Sequence, residues 1–289
     1  MSTALRGARS DELGLIAAFV ARLQERPESR IPYFDESSDE IAAEIASWGS
    51  DWARRCLVAE RETHIVGFVG VEVDPELGRA WIYGPFAEDA EWDDLADLLL
   101  REAIVLAGVE DLELLGDDAH VRLAALAAQH GFPRGRRSFV LEIGRHAVEQ
   151  LPQVAVPQLE PRRQAAFAAL HEALFPRTYY SGIQLAEQHE RGEAVVLTLV
   201  EDGNVVGYAV GRGKEGGAAY VDFLGVAEQA RGRGLGRRLT TAVCRALLED
   251  ERRSKVTLTV YEDNGAALAL YDRLGFERVA SMVGYRRRP

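Results

Sequence analysis

Cysteine is nearly absent. Two residues, Cys56 and Cys244, in a chain of 289 are too few for a disulfide framework, so the sequence predicts a reducing, cytoplasmic setting. Long apolar runs are missing as well. The longest, near residues 13–20 and 98–109, are short or broken by Arg101 and Glu102, well under the roughly 20 residues a bilayer requires. No apolar stretch follows Arg6 and Arg9 in the way a secretory leader demands. The six histidines never fall into HExxH spacing and no paired CxxC occurs, so no metal is expected; His171 and His189 stand singly and read as structural or solvated. Positive charge is in deficit: the net charge of −12 argues against a nucleic-acid binder, which needs clustered Lys and Arg.

What is present fits an ordinary globule, with 47% hydrophobic and 28% charged residues. At about 100–200 residues per domain the length points to two domains. The charge is uneven between them. Residues 1–145 carry 15 basic and 28 acidic side chains, hence −13, whereas residues 146–289 carry 19 and 18, hence +1. Only the second half is electrostatically ready for an anionic ligand.

Proline is sparse except at Pro152, Pro157 and Pro161, which mark a linker between the halves. Both sides then read alike. Before it, Ser10 and Ser38 can cap two apolar-periodic helices, followed by strands near 56–60 and 65–73; after it, Pro161 opens a helix with Phe167, Leu170 and Leu174 on one stripe, followed by strands near 194–200 and 205–210. A gap-free shift of 140 residues lays His64-Ile65-Val66-Gly67-Phe68 on Asn204-Val205-Val206-Gly207-Tyr208, and a shift of 144 lays Gly131-Phe132 on Gly275-Phe276. This predicts an internal duplication of one α/β unit of about 140 residues, with domains at 1–145 and 159–289 and a linker at 146–158.

The sharpest local feature is a strand, Tyr220-Val-Asp-Phe-Leu-Gly-Val226, then a loop with Gly232, Gly234 and Gly236, then a helix with Leu235, Leu239, Val243 and Leu247 inward. Such a loop lets consecutive backbone N–H groups face one anion, and the helix N-terminus adds its positive end. It is neither GxxxxGK[ST] nor GxGxxG. Downstream, a strand at Leu258 leads into an Asn264-initiated helix ending at Gly275.

Here the chain resembles the GNAT superfamily of acyl-coenzyme A dependent N-acyltransferases. The coenzyme motif stands as Arg231-Gly-Arg-Gly234-Leu-Gly236; the second motif stands as Asn264, Leu270-Tyr271 and Gly275-Phe276. The resemblance covers roughly residues 159–288. It implies an α/β (α+β) fold of two tandem GNAT-like domains, each a mixed, mostly antiparallel twisted sheet flanked by helices. It also implies acetyl-CoA as cosubstrate and direct acyl transfer, in a ternary complex, to a primary amine of a small molecule or peptide. Backbone groups of Gly232, Arg233, Gly234, Leu235, Gly236 and Arg237, with Arg231, would hold the pyrophosphate. Leu224, Gly225 and Val226 would pair with the pantetheine arm, and the Val226 N–H would polarise the thioester carbonyl. Asn264 would contact the pantetheine, and Tyr271 would protonate the departing thiolate, since a phenol of pKa about 10 keeps its proton at neutral pH.

The base departs from the family pattern. Two positions where relatives carry Glu are Tyr220 and Thr259 here, which leaves Asp222 as a base or as a group that binds a cationic substrate. Period-two alternation would put Tyr220, Asp222, Leu224 and Val226 on one face. A weakly equipped site suits an amine of low pKa: at pH 7 a lysine-like amine costs about 4.6 kcal/mol to deprotonate, an α-amine about 1 kcal/mol. Substrate walls are expected from Tyr179 and Tyr180, from Tyr220 and Asp222, and from the last strand around Met282 and Tyr285.

The first copy reads as disarmed. Glu91, Trp92, Asp94 and Ala96 stand opposite Arg231, Gly232, Gly234 and Gly236, with His120 and Ala127 opposite Asn264 and Tyr271. Acidic residues there repel a pyrophosphate. The layout resembles the tandem copies of mycothiol synthase. No Ser or Cys stands in a nucleophile setting, and Cys244 falls on an apolar stripe. The expected partner is thus an amine substrate, with no nucleic acid or membrane, in a monomer or homodimer. The alternative is a non-catalytic acyl-CoA binding or sensing protein.

Overall fold

The computed structural model describes residues 3–34, 37–176, 178–214 and 217–289. They form two compact units, Met1–Ser138 with Ser281–Pro289, and Phe139–Ala280. No helix among the described residues is long and apolar enough to cross a membrane.

The first unit begins with β1 (Ala4–Gly7), α1 (Leu13–Gln24) and α2 (Ser38–Ser47). The expected Ser10-capped helix starts instead as a single 3-10 turn that becomes α1 at Leu13. For α2 the cap is Ser37, one residue before the expected Ser38: its Oγ accepts from the Glu40 N–H at 3.2 Å while the Glu40 carboxylate accepts from the Ser37 N–H, a capping box. Then follow β2 (Cys56–Arg61), β3 (His64–Asp74), β4 (Arg79–Ala87), α3 (Trp92–Ala107), β5 (Asp111–Asp117) and α4 (Val121–Gln129). Strands β1 to β4 pair antiparallel in sequence, and α3 crosses over to make β5 parallel to β4.

The second unit contains α5 (Arg145–Gln150), α6 (Gln164–Leu174), α7 (Gly182–Glu190), β7 (Val195–Glu201), β8 (Asn204–Gly213), β9 (Ala218–Val226), α8 (Leu235–Leu247), β10 (Lys255–Tyr261) and α9 (Gly265–Arg273). It repeats the plan: β7, β8 and β9 pair antiparallel, and α8 crosses over to a parallel β10. The copies agree in detail. Both tight hairpins turn through positive φ, at Glu62 and Thr63 in one and Asp202 and Gly203 in the other. In both, one glycine lets the crossover helix approach the sheet: a Cβ on Gly67 would lie 3.0 Å from Leu99, and one on Gly207 would lie 3.1 Å from Leu239.

The units do not divide at residues 145 and 159. Strand β6 (Arg134–Gly144) passes from the first unit to the second at Phe139, whose neighbours Leu141, Ile143 and Val148 enter the second unit's core. Strand β11 (Glu277–Arg287) makes the reverse passage at Ser281, pairing antiparallel with β5 from Met282 opposite Asp117 to Arg287 opposite Leu112. The segment expected as a linker is packed: the Thr198 N–H donates to the Pro157 carbonyl at 2.8 Å, and Arg238 and Arg245 donate to the carbonyls of Ala155 and Leu151.

This corrects one site residue. Tyr285, expected in a substrate wall, is 2% exposed in the first unit's core beside Val283, so its ring is spent on packing there. Tyr285→Ala is expected to cost about 3–5 kcal/mol, as truncations of large buried aromatics do. A urea unfolding curve checks this, and a wild-type midpoint would contradict the placement.

Candidate active site

Strand β9 parts from β10 halfway along its length. The parallel pairing runs from Ala218 opposite Lys255 to Val221 opposite Leu258 and stops, whereas β9 stays paired with β8 as far as Val226 opposite Gly207. From Asp222 to Val226 the strand therefore presents backbone N–H and C=O groups on its β10 side, an edge that an extended chain can join. A β-bulge sits where the strands part. Val210 pairs with Phe223 and Gly211 with Val221, which leaves Asp222 as the extra residue.

The bulge resets the alternation. Val221, Leu224 and Val226 pack with the cluster beneath α8, while Phe223 joins the cluster of α6 and β8 with Phe167 and Tyr208. Asp222 turns toward Tyr179 on the Phe223 side. The expected common face of Tyr220, Asp222, Leu224 and Val226 is thus broken, because one inserted residue flips every side chain beyond it. Leu224 and Val226 instead share a cluster with Tyr271. Gly225 has no room for a side chain: a Cβ would lie 2.7 Å from the Tyr208 ring and 2.8 Å from Leu174.

At the end of β9 the chain enters the glycine loop. Gly232 and Gly234 take left-handed φ of 75° and 77°, and a Cβ on either would meet nothing within 4 Å. Gly234 is the N-cap of α8, whose first internal bond runs from the Arg238 N–H to the Gly234 carbonyl. The N–H groups of Leu235, Gly236 and Arg237 therefore have no partner within the helix and point from its positive end. Arg231 ties the loop back, its Nε donating to the Val226 carbonyl at 3.2 Å. The Arg233 guanidinium is held by Glu201 through two bonds of 2.7 and 2.8 Å, so Arg233 offers the loop its backbone rather than its charge.

Two residues of α9 complete this side. Asn264 caps the helix, its Oδ1 accepting from the Ala267 N–H at 3.2 Å, which leaves its side-chain NH2 group for other contacts. Tyr271 is 6% exposed, with its ring edge-on to Phe276 at 5.4 Å. Burial, reinforced by Cys244 and Tyr220, holds its phenol well above the ordinary value of 10. The phenol therefore keeps its proton at neutral pH.

The other side is built around Asp222. Its carboxylate, 6% exposed, takes a 2.8 Å bond from Arg212 Nε and a 3.2 Å bond from the Tyr179 hydroxyl. Burial pushes the carboxyl above the ordinary Asp value, and Arg212 and Tyr179 pull against that rise. The Arg212 guanidinium lies 4.8 Å over the Tyr180 ring and donates to Gln188 at 3.0 Å. Tyr220 is hydrogen-bonded to Thr259, where the strands part. Arg177, in the segment of the expected wall, lies outside the described residues. Arg212 was not singled out in the sequence. Its signal was a lone Arg near the end of an apolar strand; its register partner is Tyr220, and it reaches Asp222 diagonally. Among the described residues no group of His, Cys, Asp and Glu could hold a metal ion.

The acetyltransferase (GNAT) family profile matches residues 159–276. Over 261 residues the chain is 32% identical to the mycothiol acetyltransferase of Thermobispora bispora, covering 83% of this chain and 86% of that protein. The chain belongs to the GNAT acetyltransferase family. With the mycothiol acetyltransferase of Renibacterium salmoninarum it shares 28% identity over 206 residues, 64% of this chain and 60% of that protein, so this match spans less than two thirds of the relative's length. The fold also matches the tandem GNAT protein from the clavulanic acid biosynthesis pathway, at a TM-score of 0.68 and 17% identity over 99% of this chain and 97% of that one.

The first GNAT-like unit is filled at the corresponding places. Glu91 is buried at the N-cap of α3 and takes two bonds from Arg61, one of them 2.6 Å. His120 caps α4 as Asn264 caps α9, its Nδ1 accepting from the Leu123 N–H at 3.3 Å and its ring 4.9 Å from Trp92. Burial lowers the His120 pKa to about 4.

Gly225→Ala is expected to lower stability by about 1–3 kcal/mol, the usual cost of overpacking. Chemical denaturation measures it. An unchanged midpoint would show that β9 can move off Tyr208.

Proposed function

We propose that the protein moves an acetyl or other short acyl group from acetyl-CoA to a primary amine of a small molecule or peptide, directly and within a ternary complex. The observation that carries this reading is the continuous run from the open edge of β9, through the left-handed glycine loop, to the N-terminus of α8, with a buried, protonated Tyr271 beside it. Its parts fit the coenzyme. An extended amide-bearing arm matches the edge at Leu224, Gly225 and Val226. A pyrophosphate matches the N–H groups of residues 232–237, where no side chain fills the space beside Gly232 and Gly234. Asn264 keeps an NH2 group for the pantetheine, and Arg231 and Arg237 supply positive charge at the loop.

Acetyl-CoA supplies an activated acyl carbonyl. The amine nitrogen forms the new bond to that carbon, the carbon–sulfur bond breaks, the Val226 N–H receives the charge that develops on oxygen, Tyr271 gives its proton to the sulfur, and the proton shed by the attacking nitrogen passes through water to restore the Tyr271 phenol. Asp222, tied to Arg212 and Tyr179, works as an anchor of the acceptor wall rather than as a strong base. This favours an amine of low pKa that loses its proton to water. Tyr179, Tyr180 and Tyr220 are its aromatic surroundings. The relatives' name makes mycothiol chemistry the first place to seek the acceptor. In the first unit, Glu91 and Arg61 stand where a pyrophosphate would have to sit, so we read it as a GNAT-like unit without a coenzyme site.

Calorimetric titration of acetyl-CoA tests this. One site per chain is expected, lost in Gly234→Glu; two sites would overturn the reading of the first unit, and no binding would sink the acyl-transfer reading. Tyr271→Phe should lower kcat by about 10²–10⁴ while still binding acetyl-CoA, the range for a general acid. In wild type the rate should climb with pH through the amine's own pKa and not fall by about pH 10, because a group whose pKa is raised above 10 keeps its proton there. A pH–rate profile falling well below pH 10, together with an unimpaired Tyr271→Phe, would remove Tyr271 as the acid.

A further inference from the structure

We infer that His171 is a positioning residue for the amine acceptor: it fixes the turn carrying Tyr179 and Tyr180 against β8 and β9. The inference rests on the acyl-transfer reading for the identity of that wall. It stands on geometry that the reading does not use.

His171 lies on α6 and is 0% exposed, and both ring nitrogens are engaged. Nε2 is 3.0 Å from the Tyr180 carbonyl, and Nδ1 is 2.7 Å from the Tyr208 hydroxyl. A carbonyl only accepts, so Nε2 carries the hydrogen. Burial disfavours the imidazolium, which makes Nδ1 the acceptor and Tyr208 the donor. The ring also meets Phe223 edge-on at 4.7 Å and stacks with Phe175 at 5.6 Å. One side chain thus joins β8 through Tyr208, β9 through Phe223, and the turn through Tyr180.

The same turn delivers the acceptor wall. Tyr179 stacks on Phe223 at 5.0 Å and donates to Asp222, and Tyr180 lies under Arg212. Beyond it the chain is pinned again, where Glu172 accepts from the Gly182 N–H at 3.0 Å and a Cβ on Gly182 would lie 2.5 Å from Ala168. Between these two fixed points the His171–Tyr180 bond sets where the two tyrosines stand. An apolar residue would fill the same space but leave the Tyr180 carbonyl and the Tyr208 hydroxyl unpaired in the interior.

Two variants separate the two bonds. In His171→Gln the side-chain amide can still reach the Tyr180 carbonyl; in His171→Asn only the partner of Tyr208 is kept. Backbone hydrogen exchange at Tyr180 and Ser181 is read first, in the free protein. Kinetics then follow with tyramine, glucosamine and glycinamide as probe amines. For His171→Asn, exchange at the turn and the KM for the amine should each rise about tenfold, the effect of one hydrogen bond. The kcat should stay within about twofold and acetyl-CoA affinity should not change, and His171→Gln should restore most of the KM. Wild-type exchange in His171→Asn would overturn the latch. Raised exchange with an unchanged KM would overturn its role in acceptor binding, and an equal loss of acetyl-CoA affinity would mark general damage to the fold instead. If wild type turns over none of the three amines, the acyl-transfer reading and the acceptor role fall together, while the exchange data still decide whether His171 holds the turn.

Discussion

Everything at the candidate site follows from one residue too many in β9. With Asp222 inserted, the strand kinks at the point where β10 leaves it, and a sheet that would otherwise continue opens into a split. The split exposes a row of peptide groups, leaves Leu224 and Val226 packed on the cluster that holds Tyr271, and turns Asp222 toward Arg212 and Tyr179. Without the bulge, Asp222 would share a face with Leu224 and Val226. With it, Asp222 and that pair lie on opposite faces of one strand.

The two halves of the chain share the split as well: β4 stays with β3 as far as Ala87 opposite Gly67 but parts from β5 after Ile82. Sheet order, hairpin turns and the glycine beneath the crossover helix agree between them. The difference lies in side chains at a helix start. Glycines at residues 232 and 234 leave space before α8, whereas Glu91 at the start of α3 brings its own negative charge to the helix dipole and takes Arg61 as its counter-ion. The start of α3 therefore carries an ion pair where the start of α8 carries glycines.

Much of this was legible in the sequence, for physical reasons. The glycine pattern needs left-handed φ at Gly232 and Gly234, and a cap at Asn264 is a local event, so motifs reported both. The repeat was visible because its spacing is nearly gap-free. What stayed hidden was non-local. The bulge at Asp222 exists only in the register between β9 and β8, and alternation read along one strand cannot see it. Arg212 becomes part of the site only when β8 is laid beside β9. Nothing in the order of residues says that β11 changes units at Ser281, which is why Tyr285 was expected at the wrong place. Even the start of α2 was one serine off, since Ser37 and Ser38 are equally good caps.

That passage of β11 has a consequence for how the protein is made. The first unit lacks a strand, and the buried Val283 and Tyr285, until the segment from Ser281 onward has been synthesised. At about 5–20 residues per second, the stretch between Ser138 and Ser281 takes roughly 7–30 s to emerge. Through that interval the nascent first unit holds an unpaired β5 edge beside an unfilled core, so its completion is timed by translation of the second.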